Sequence, residues 1–325
     1  MSATPSTMQT LQYGNGSSWE LTTAPTPEPG PGEVLVRVAA VATNNGDADQ
    51  LAAAGEPGIA GFEFAGTVAV HGPGVNAPAI GARVAGTAPS SFAEYVTVDH
   101  RHLIAVPENL PEAEAVALPV GLVTDYGAML AGGFVPGQSV LVTGASSAMG
   151  MTGVQVAKAL GAPLVIGTTR SEDKRDLVAG VGADVVIVGG AEGLATAVRE
   201  ATDGRGVDLV LDHIAGPVLA AGLSATADEG TVVNIGRLAG DATVDVWDLG
   251  RRRLTLRGVS FGSSRPETMA EVFAAIAADV LPAVADGRVR PVIDSVYPLD
   301  RHTDAAARLS TREVRGKVVI VFPAE

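Results

Sequence analysis

The sequence predicts an α/β protein in two parts: a β-rich, barrel-like stretch to about residue 120, then a doubly wound parallel sheet with helices. Three observations carry this. Short apolar, β-branched runs in the first part are separated by glycine and proline clusters such as His71-Gly72-Pro73-Gly74. Beyond it, apolar runs alternate with helical segments at roughly 20–30-residue spacing, as parallel strands with helical crossovers require. The first of those later runs leads into a glycine-rich turn and then a helix.

In the first part, residues 34–38 form a strand after the proline-glycine stretch 25–32, and 64–70, 83–85, 92–98 and 103–106 follow. In the second part the strands are 140–143, 164–168, 185–188, 209–212 and 231–235, with 254–259 as a sixth. Residues 152–160, 171–181, 191–201 and 217–227 read as helices between them. Ser171 followed by Glu172 and Asp173 is a helix start, a capping hydroxyl with acids at the positive end of the dipole. A helix over 266–285 and strands at 292–297 and 318–322 close the chain, and no internal repeat is present.

The chain has 325 residues, with 36 acidic and 22 basic side chains, a net charge of −14 and no cysteine. The missing cysteines exclude disulfides, thiolate zinc sites, iron–sulfur clusters and a cysteine nucleophile. The negative charge argues against nucleic acid and anionic membranes as partners. The N-terminus has no basic start followed by an apolar run, and the charge-free stretch 126–157 is punctuated by Pro136, Gly137, Gly144 and Gly150. The expected compartment is the cytoplasm.

The chief chemical signal is the turn after the strand at 140–143. Gly144, Ser146, Ser147, Ala148, Met149 and Gly150 are small or flexible, so the backbone can approach a pyrophosphate and a helix N-terminus can offer it free N–H groups. A strict GxGxxG is absent; the glycines fall at 144, 150 and 153. At the end of the next strand a dinucleotide site for NAD has an acid on the ribose hydroxyl. Here that tip reads Thr168-Thr169-Arg170-Ser171, with Lys174 and Arg175 following. Arg170 and Lys174 suit a 2′-phosphate and Ser171 can hydrogen-bond it, so the expected cofactor is NADPH.

These features lie in a wider pattern. Residues 31–38 (PGEVLVRV), 61–66 (GFEFAG), Leu118-Pro119-Val120 with Thr124, the dinucleotide turn, 159–162 (ALGA), 182–184 (GAD) and 316–320 (GKVVI) follow one another in order. In this order they resemble the medium-chain dehydrogenase/reductases, most closely the zinc-independent quinone oxidoreductase (zeta-crystallin-like) branch. The resemblance implies a GroES-like β-barrel catalytic domain over 1–121, a Rossmann NADPH-binding domain over 122–262, and a C-terminal return over 263–325. It implies a site in the cleft between the two domains, and a homodimer. It places the slots of the zinc ligands at Asn44, Phe62 and Val120, none of which is a suitable ligand, so no metal site is expected.

The resemblance puts Asn44 and Thr124 near the nicotinamide ring, as the candidate catalytic residues. Asn44 has a second reading as part of an Asn45-Gly46 turn. Asn234 and Gly236 at the fifth strand's end, with Arg237, fall where the family's loops touch the nicotinamide, and Ser263 lies on the segment re-entering the first domain. Asp47 reads as structural. Tyr95 and Tyr126 are either proton donors or packing. His213 is either at the cofactor or packed and neutral, and His100 and His102 belong to a surface loop or share a strand face. Without a metal, the acceptor must spread its own developing charge, which points to a quinone or an α,β-unsaturated carbonyl as the small-molecule substrate. The alternatives are an enoyl-thioester or biosynthetic tailoring reductase, and a low-turnover NADPH-binding protein. Substrate choice is expected to rest on the loops 49–59 and 261–265.

Overall fold

The computed structural model describes residues 4–13, 18–52, 58–311 and 313–323. The chain forms two compact units, one of residues 1–120 with 291–325 and one of residues 121–290.

The first unit opens with a hairpin of β1 (Thr7–Tyr13) and β2 (Trp19–Pro25), paired antiparallel. Their Thr-, Gln- and Glu-containing runs hold few apolar residues, so these strands do not stand out in the sequence. β3 (Glu33–Ala42) is the spine of the larger sheet. It runs antiparallel to β4 (Glu63–His71) along one edge. α1 (Asn45–Ala52) connects the two. β5 (Arg83–Thr87) pairs with β4, β7 (Leu103–Ala105) pairs with β5, and β6 (Tyr95–Asp99) pairs with the first half of β3. Gly66 is required where β4 meets β3, because a Cβ there would run into the Arg37 carbonyl. Leu11, Trp19, Val36, Phe64 and Phe92 are among the side chains that close the core of this unit. Trp19 and Phe92 meet edge to face with centroids 5.3 Å apart. A short α2 (Glu112–Ala115) follows.

The second unit begins within α3 (Pro119–Ala131). It continues as β8 (Val140–Val142), α4 (Ala148–Ala159), β9 (Val165–Thr169), α5 (Arg175–Gly180), β10 (Val185–Val188), α6 (Leu194–Glu200) and β11 (Val207–Asp212). Then come α7 (Gly216–Ala225), β12 (Thr226–Asn234), α8 (Val246–Arg251) and β13 (Thr255–Gly258). All six strands are parallel, in the order β10-β9-β8-β11-β12-β13. This is the doubly wound Rossmann order, with its reversal at β8. The central strands read as continuous apolar runs because both faces are covered, and Val140, Leu141, Val142, Val210 and Leu211 are fully buried.

Several elements depart from the sequence expectation. The helix expected at 152–160 starts at Ala148, because the Ser147 hydroxyl accepts the Gly150 N–H and caps it there. The helix expected over 171–181 is a 3-10 turn (Glu172–Lys174) followed by α5, and the Ser171 hydroxyl bonds the Asp173 carboxylate rather than capping. Residues 266–285 are helical throughout, as α9 (Pro266–Ala275), a π-helical stretch (Ile276–Val280) and α10 (Leu281–Ala285). This run is long and apolar enough to cross a membrane by length and composition, yet Phe273, Ile276, Val280 and Val284 are buried inside the protein. It lies in the second unit, so the chain returns to the first at Pro291 rather than at 263.

The return supplies β14 (Ile293–Pro298), α11 (His302–Ser310) and β15 (Lys317–Val321). β14 is parallel to β15, and β15 is antiparallel to the end of β3. The larger sheet of the first unit therefore runs β14-β15-β3-β4-β5-β7.

Candidate active site

In the second unit the turn at the C-terminal end of β8 lies at the strand-order reversal, where open α/β sheets bind ligands. Gly144 adopts φ +64°, a conformation that favours glycine, and its N–H is taken by the Thr168 hydroxyl at 3.0 Å. The backbone N–H groups of Ser146, Ala148 and Met149 have no acceptor among the described residues. These are the open donors of a helix N-terminus and fit a pyrophosphate. Gly150 has a different reason from the one the sequence suggests. A Cβ there would lie 2.5 Å from the Gly144 carbonyl oxygen, so the glycine serves the close packing of helix on turn.

The tip of β9 carries the basic residues. Arg175 is committed: it pairs with the Glu172 carboxylate and donates to the Val186 carbonyl at 2.9 Å. Arg170 is exposed and Lys174 half-exposed, and neither side chain has a hydrogen-bond or ion-pair partner among the described residues. Thr168 and Thr169 are buried, the latter donating to the Ser146 hydroxyl at 3.2 Å. At the end of β12, Asn234 gives both side-chain amide hydrogens to the protein, to Asp212 and to the Gly236 carbonyl at 2.9 Å each, which leaves its side-chain Oδ1 without a partner among the described residues. Gly236 abuts the His213 backbone. Ser263 ends an exposed 3-10 turn, its N–H bonded to the Ser260 carbonyl at 3.1 Å.

Thr124 is partly buried on α3, beside the buried Asp125. The Asp125 carboxylate lies 2.9 Å from His213 Nε2, although the ring N–H does not line up on it as a hydrogen bond. His213 Nδ1 lies 3.1 Å from the Thr143 carbonyl. Burial works against the charged imidazole, but the adjacent Asp125 carboxylate holds the His213 pKa above its ordinary value. His213 is therefore packed, with the Asp125 carboxylate beside its ring. The Tyr126 hydroxyl is bonded to the Asp279 carboxylate, and burial with that partner pushes its pKa up. Tyr95 is buried on β6. His100 lies in a turn, its Nδ1 2.7 Å from the Gly32 carbonyl, so the shared strand face for His100 and His102 does not form.

In the first unit Asn44 caps α1 and does not form a hairpin turn with Asn45-Gly46. Its carbonyl accepts the N–H groups of Asp47 and Ala48, and its own N–H goes back to Asp47 Oδ2 at 2.7 Å. Asp47 is thus structural; burial raises its pKa to about 6. The Asn44 side chain enters a polar cluster with Glu63 and Lys317. Reading the sequence picked out neither of these charges, although each stands alone in an apolar strand (FEFAG and GKVVI). No group of three or more histidine or carboxylate side chains able to hold a metal occurs among the described residues. Of the substrate loop 49–59, residues 53–57 lie outside the described residues.

Residues 30–108 match the alcohol dehydrogenase GroES-like domain family, and residues 148–278 match the zinc-binding dehydrogenase family. A probable oxidoreductase from Mycobacterium abscessus is 31% identical, with a TM-score of 0.83 over 98% of this chain and 100% of that one. A mycobacterial quinone oxidoreductase gives 29% identity and a TM-score of 0.86 over 97% and 99% of the two chains. A mycobacterial protein solved in complex with NADPH gives 28% and 0.82 over 97% and 99%. The chain belongs to the medium-chain dehydrogenase/reductase superfamily, in its quinone oxidoreductase-like branch.

Curated relatives include a mycocerosic acid synthase-like polyketide synthase of Mycobacterium tuberculosis, 30% identical over 98% of this chain. Another is the pikromycin polyketide synthase component PikAII of Streptomyces venezuelae, 32% identical over 95%. The chain spans only 15% and 8% of the length of these two.

Proposed function

We propose that this protein is an NADPH-dependent oxidoreductase that delivers hydride to a quinone or an α,β-unsaturated carbonyl without zinc. The observation that carries the reading is the pairing of open N–H groups at Ser146, Ala148 and Met149 with two cations, Arg170 and Lys174, that have no partner among the described residues. A pyrophosphate fits the first set and a 2′-phosphate the second. The mycobacterial neighbour in complex with NADPH supports the same cofactor.

Bound NADPH supplies the hydride. By the family resemblance Thr124 serves beside the nicotinamide ring, and the Asn44 amide stabilises the negative charge that develops on the acceptor oxygen. A proton from solvent completes the reduced product. Residues of types unable to bind zinc at the slots Asn44, Phe62 and Val120 support chemistry that needs no Lewis acid.

Steady-state assays of NADPH and NADH against quinones and enones test the reading. Turnover with NADPH preferred is expected, whereas tight NADPH binding with no oxidation by any acceptor would overturn it in favour of a low-turnover binding protein. The polyketide synthase relatives favour a second reading, reduction of an enoyl thioester, which a crotonyl thioester in the same panel separates from the first. By the family resemblance we take the protein to be a cytoplasmic homodimer; light scattering should then give a mass near twice 32.7 kDa.

A further inference from the structure

We propose that Glu63 and Lys317 are positioning residues that lock the Asn44 carboxamide in one orientation, so that its Nδ2 is the end offered to the substrate as a hydrogen-bond donor. The inference rests on the reading of Asn44 given above, and says how the fold makes that residue a donor rather than an acceptor.

The cluster follows from strand order. β15, β3 and β4 are neighbours, and the start of β15, the end of β3 and the start of β4 lie at one end of the sheet. Lys317 begins β15, Glu63 begins β4 and Asn44 follows β3. The Thr43 N–H bonds the Val318 carbonyl at 2.9 Å and keeps the backbone beside β15. The ammonium and carboxylate side chains are 3% and 0% exposed and form an ion pair with each other.

Each charge then addresses one end of the amide. Lys317 Nζ donates to Asn44 Oδ1 at 2.6 Å, and Asn44 Nδ2 donates to Glu63 Oε1 at 3.2 Å. Glu63 Oε2 accepts the Val120 N–H at 3.0 Å, which anchors the carboxylate from its other side. An ammonium can only donate and a carboxylate can only accept. Turning the amide over would set its NH2 against Nζ and its carbonyl against the carboxylate, losing both bonds at once. One Nδ2 hydrogen goes to Glu63, and the other has no acceptor among the described residues, on a side chain that is only partly buried. A buried ion pair is a weak source of stability in itself. Fixing which end of Asn44 faces outward gives this one a use.

The test is a mutant cycle with two readouts. In the free protein, the side-chain amide of Asn44 is followed by 15N-1H NMR. Two well-separated proton signals, one of them protected from exchange, are expected in the wild type and should converge in Glu63→Gln, since glutamine accepts or donates equally well. With 1,4-naphthoquinone and saturating NADPH, Glu63→Gln should lower kcat on the order of 10- to 100-fold, no more than loss of an oxyanion donor does, with the Kd for NADPH unchanged. The double variant Glu63→Gln/Lys317→Met removes both charges together. It should behave alike, and it guards against misfolding caused by a lone buried ammonium.

In the Asn44→Ala background neither change should lower kcat further. Additive losses there, or an unaltered kcat in a folded Glu63→Gln whose amide signals have converged, would overturn the positioning role. An Asn44→Ala variant with full turnover would instead overturn the placing of Asn44 at the reacting centre, and this inference with it. Full NMR behaviour as expected, with no wild-type turnover on any acceptor, would leave the lock standing and remove the donor role it is proposed to serve.

Discussion

The Asp125 carboxylate and the His213 imidazole face each other at 2.9 Å in the interior of the second unit, one on α3 and the other just past β11. Both are buried, and burial raises the Asp125 pKa while the imidazole opposes that rise. The two halves of such a pair are not equivalent. His213→Ala strands a carboxylate with no way to become neutral except by taking up a proton, and should cost about 3–5 kcal/mol. Asp125→Asn leaves an imidazole that can stand neutral in the interior, and should cost only about 1–2 kcal/mol. Urea unfolding of the two variants at pH 7 reads the difference, and equal losses would refute the asymmetry.

Asp47 makes stability depend on pH. Its folded pKa of about 6 lies above the ordinary 3.8. The folded state therefore holds this proton more tightly than the unfolded chain. The associated stabilisation is fully present below the unfolded value and is lost as pH rises through 6, by about 3 kcal/mol in all. Asp47→Asn keeps an acceptor for the Asn44 N–H without the charge. It should equal or exceed the wild type in stability at pH 8 and lose that advantage toward pH 5, as followed by denaturation across that range.

Arg170 and Arg175 are close in sequence but differ in commitment. Arg170→Ala should weaken NADPH by about 1.5–3 kcal/mol with little effect on NADH, the loss of one charge-assisted bond. Arg175→Ala breaks contacts to Glu172 and Val186, so it should lower stability while leaving the ratio of the two cofactors alone. Calorimetric titration with both cofactors decides; equal losses of NADPH and NADH in Arg170→Ala would remove its 2′-phosphate role.

Gly150→Val forces a Cβ to 2.5 Å from the Gly144 carbonyl oxygen and 2.7 Å from the Ala145 Cα. Both are backbone atoms and cannot turn aside. The variant should lose about 1–3 kcal/mol of stability and bind both dinucleotides more weakly, because the turn itself is displaced. Unchanged melting temperature and affinity would show that the turn yields without cost.

Much of the second unit was legible because parallel strands covered on both faces must be apolar throughout. Runs such as 140–142 and 209–211 announce themselves, and small residues mark the turn between β8 and α4. The hairpin of β1 and β2 was not legible, since its Thr- and Gln-rich strands are held by pairing with each other and by bridges to Ile59 and Ala93. The helices α1, α8 and α11 are six to nine residues long, too short for a helical period to stand out.

Composition and local pattern alone determined that this chain lacks thiolate metals, has a glycine-rich turn between a buried strand and a helix, and has cations at the tip of the following strand. These are properties of neighbours in sequence. Which of the three cations have no partner among the described residues was decided only when folding set Arg175 against Glu172 and Val186. The partners of the Asn44 amide were decided the same way: Glu63 and Lys317 are far from it in the chain, and only the register of three adjacent strands brings their opposite charges to its two ends. Hydrogen-bond direction depends on which partners meet, and for distant residues the tertiary structure alone supplies the meeting.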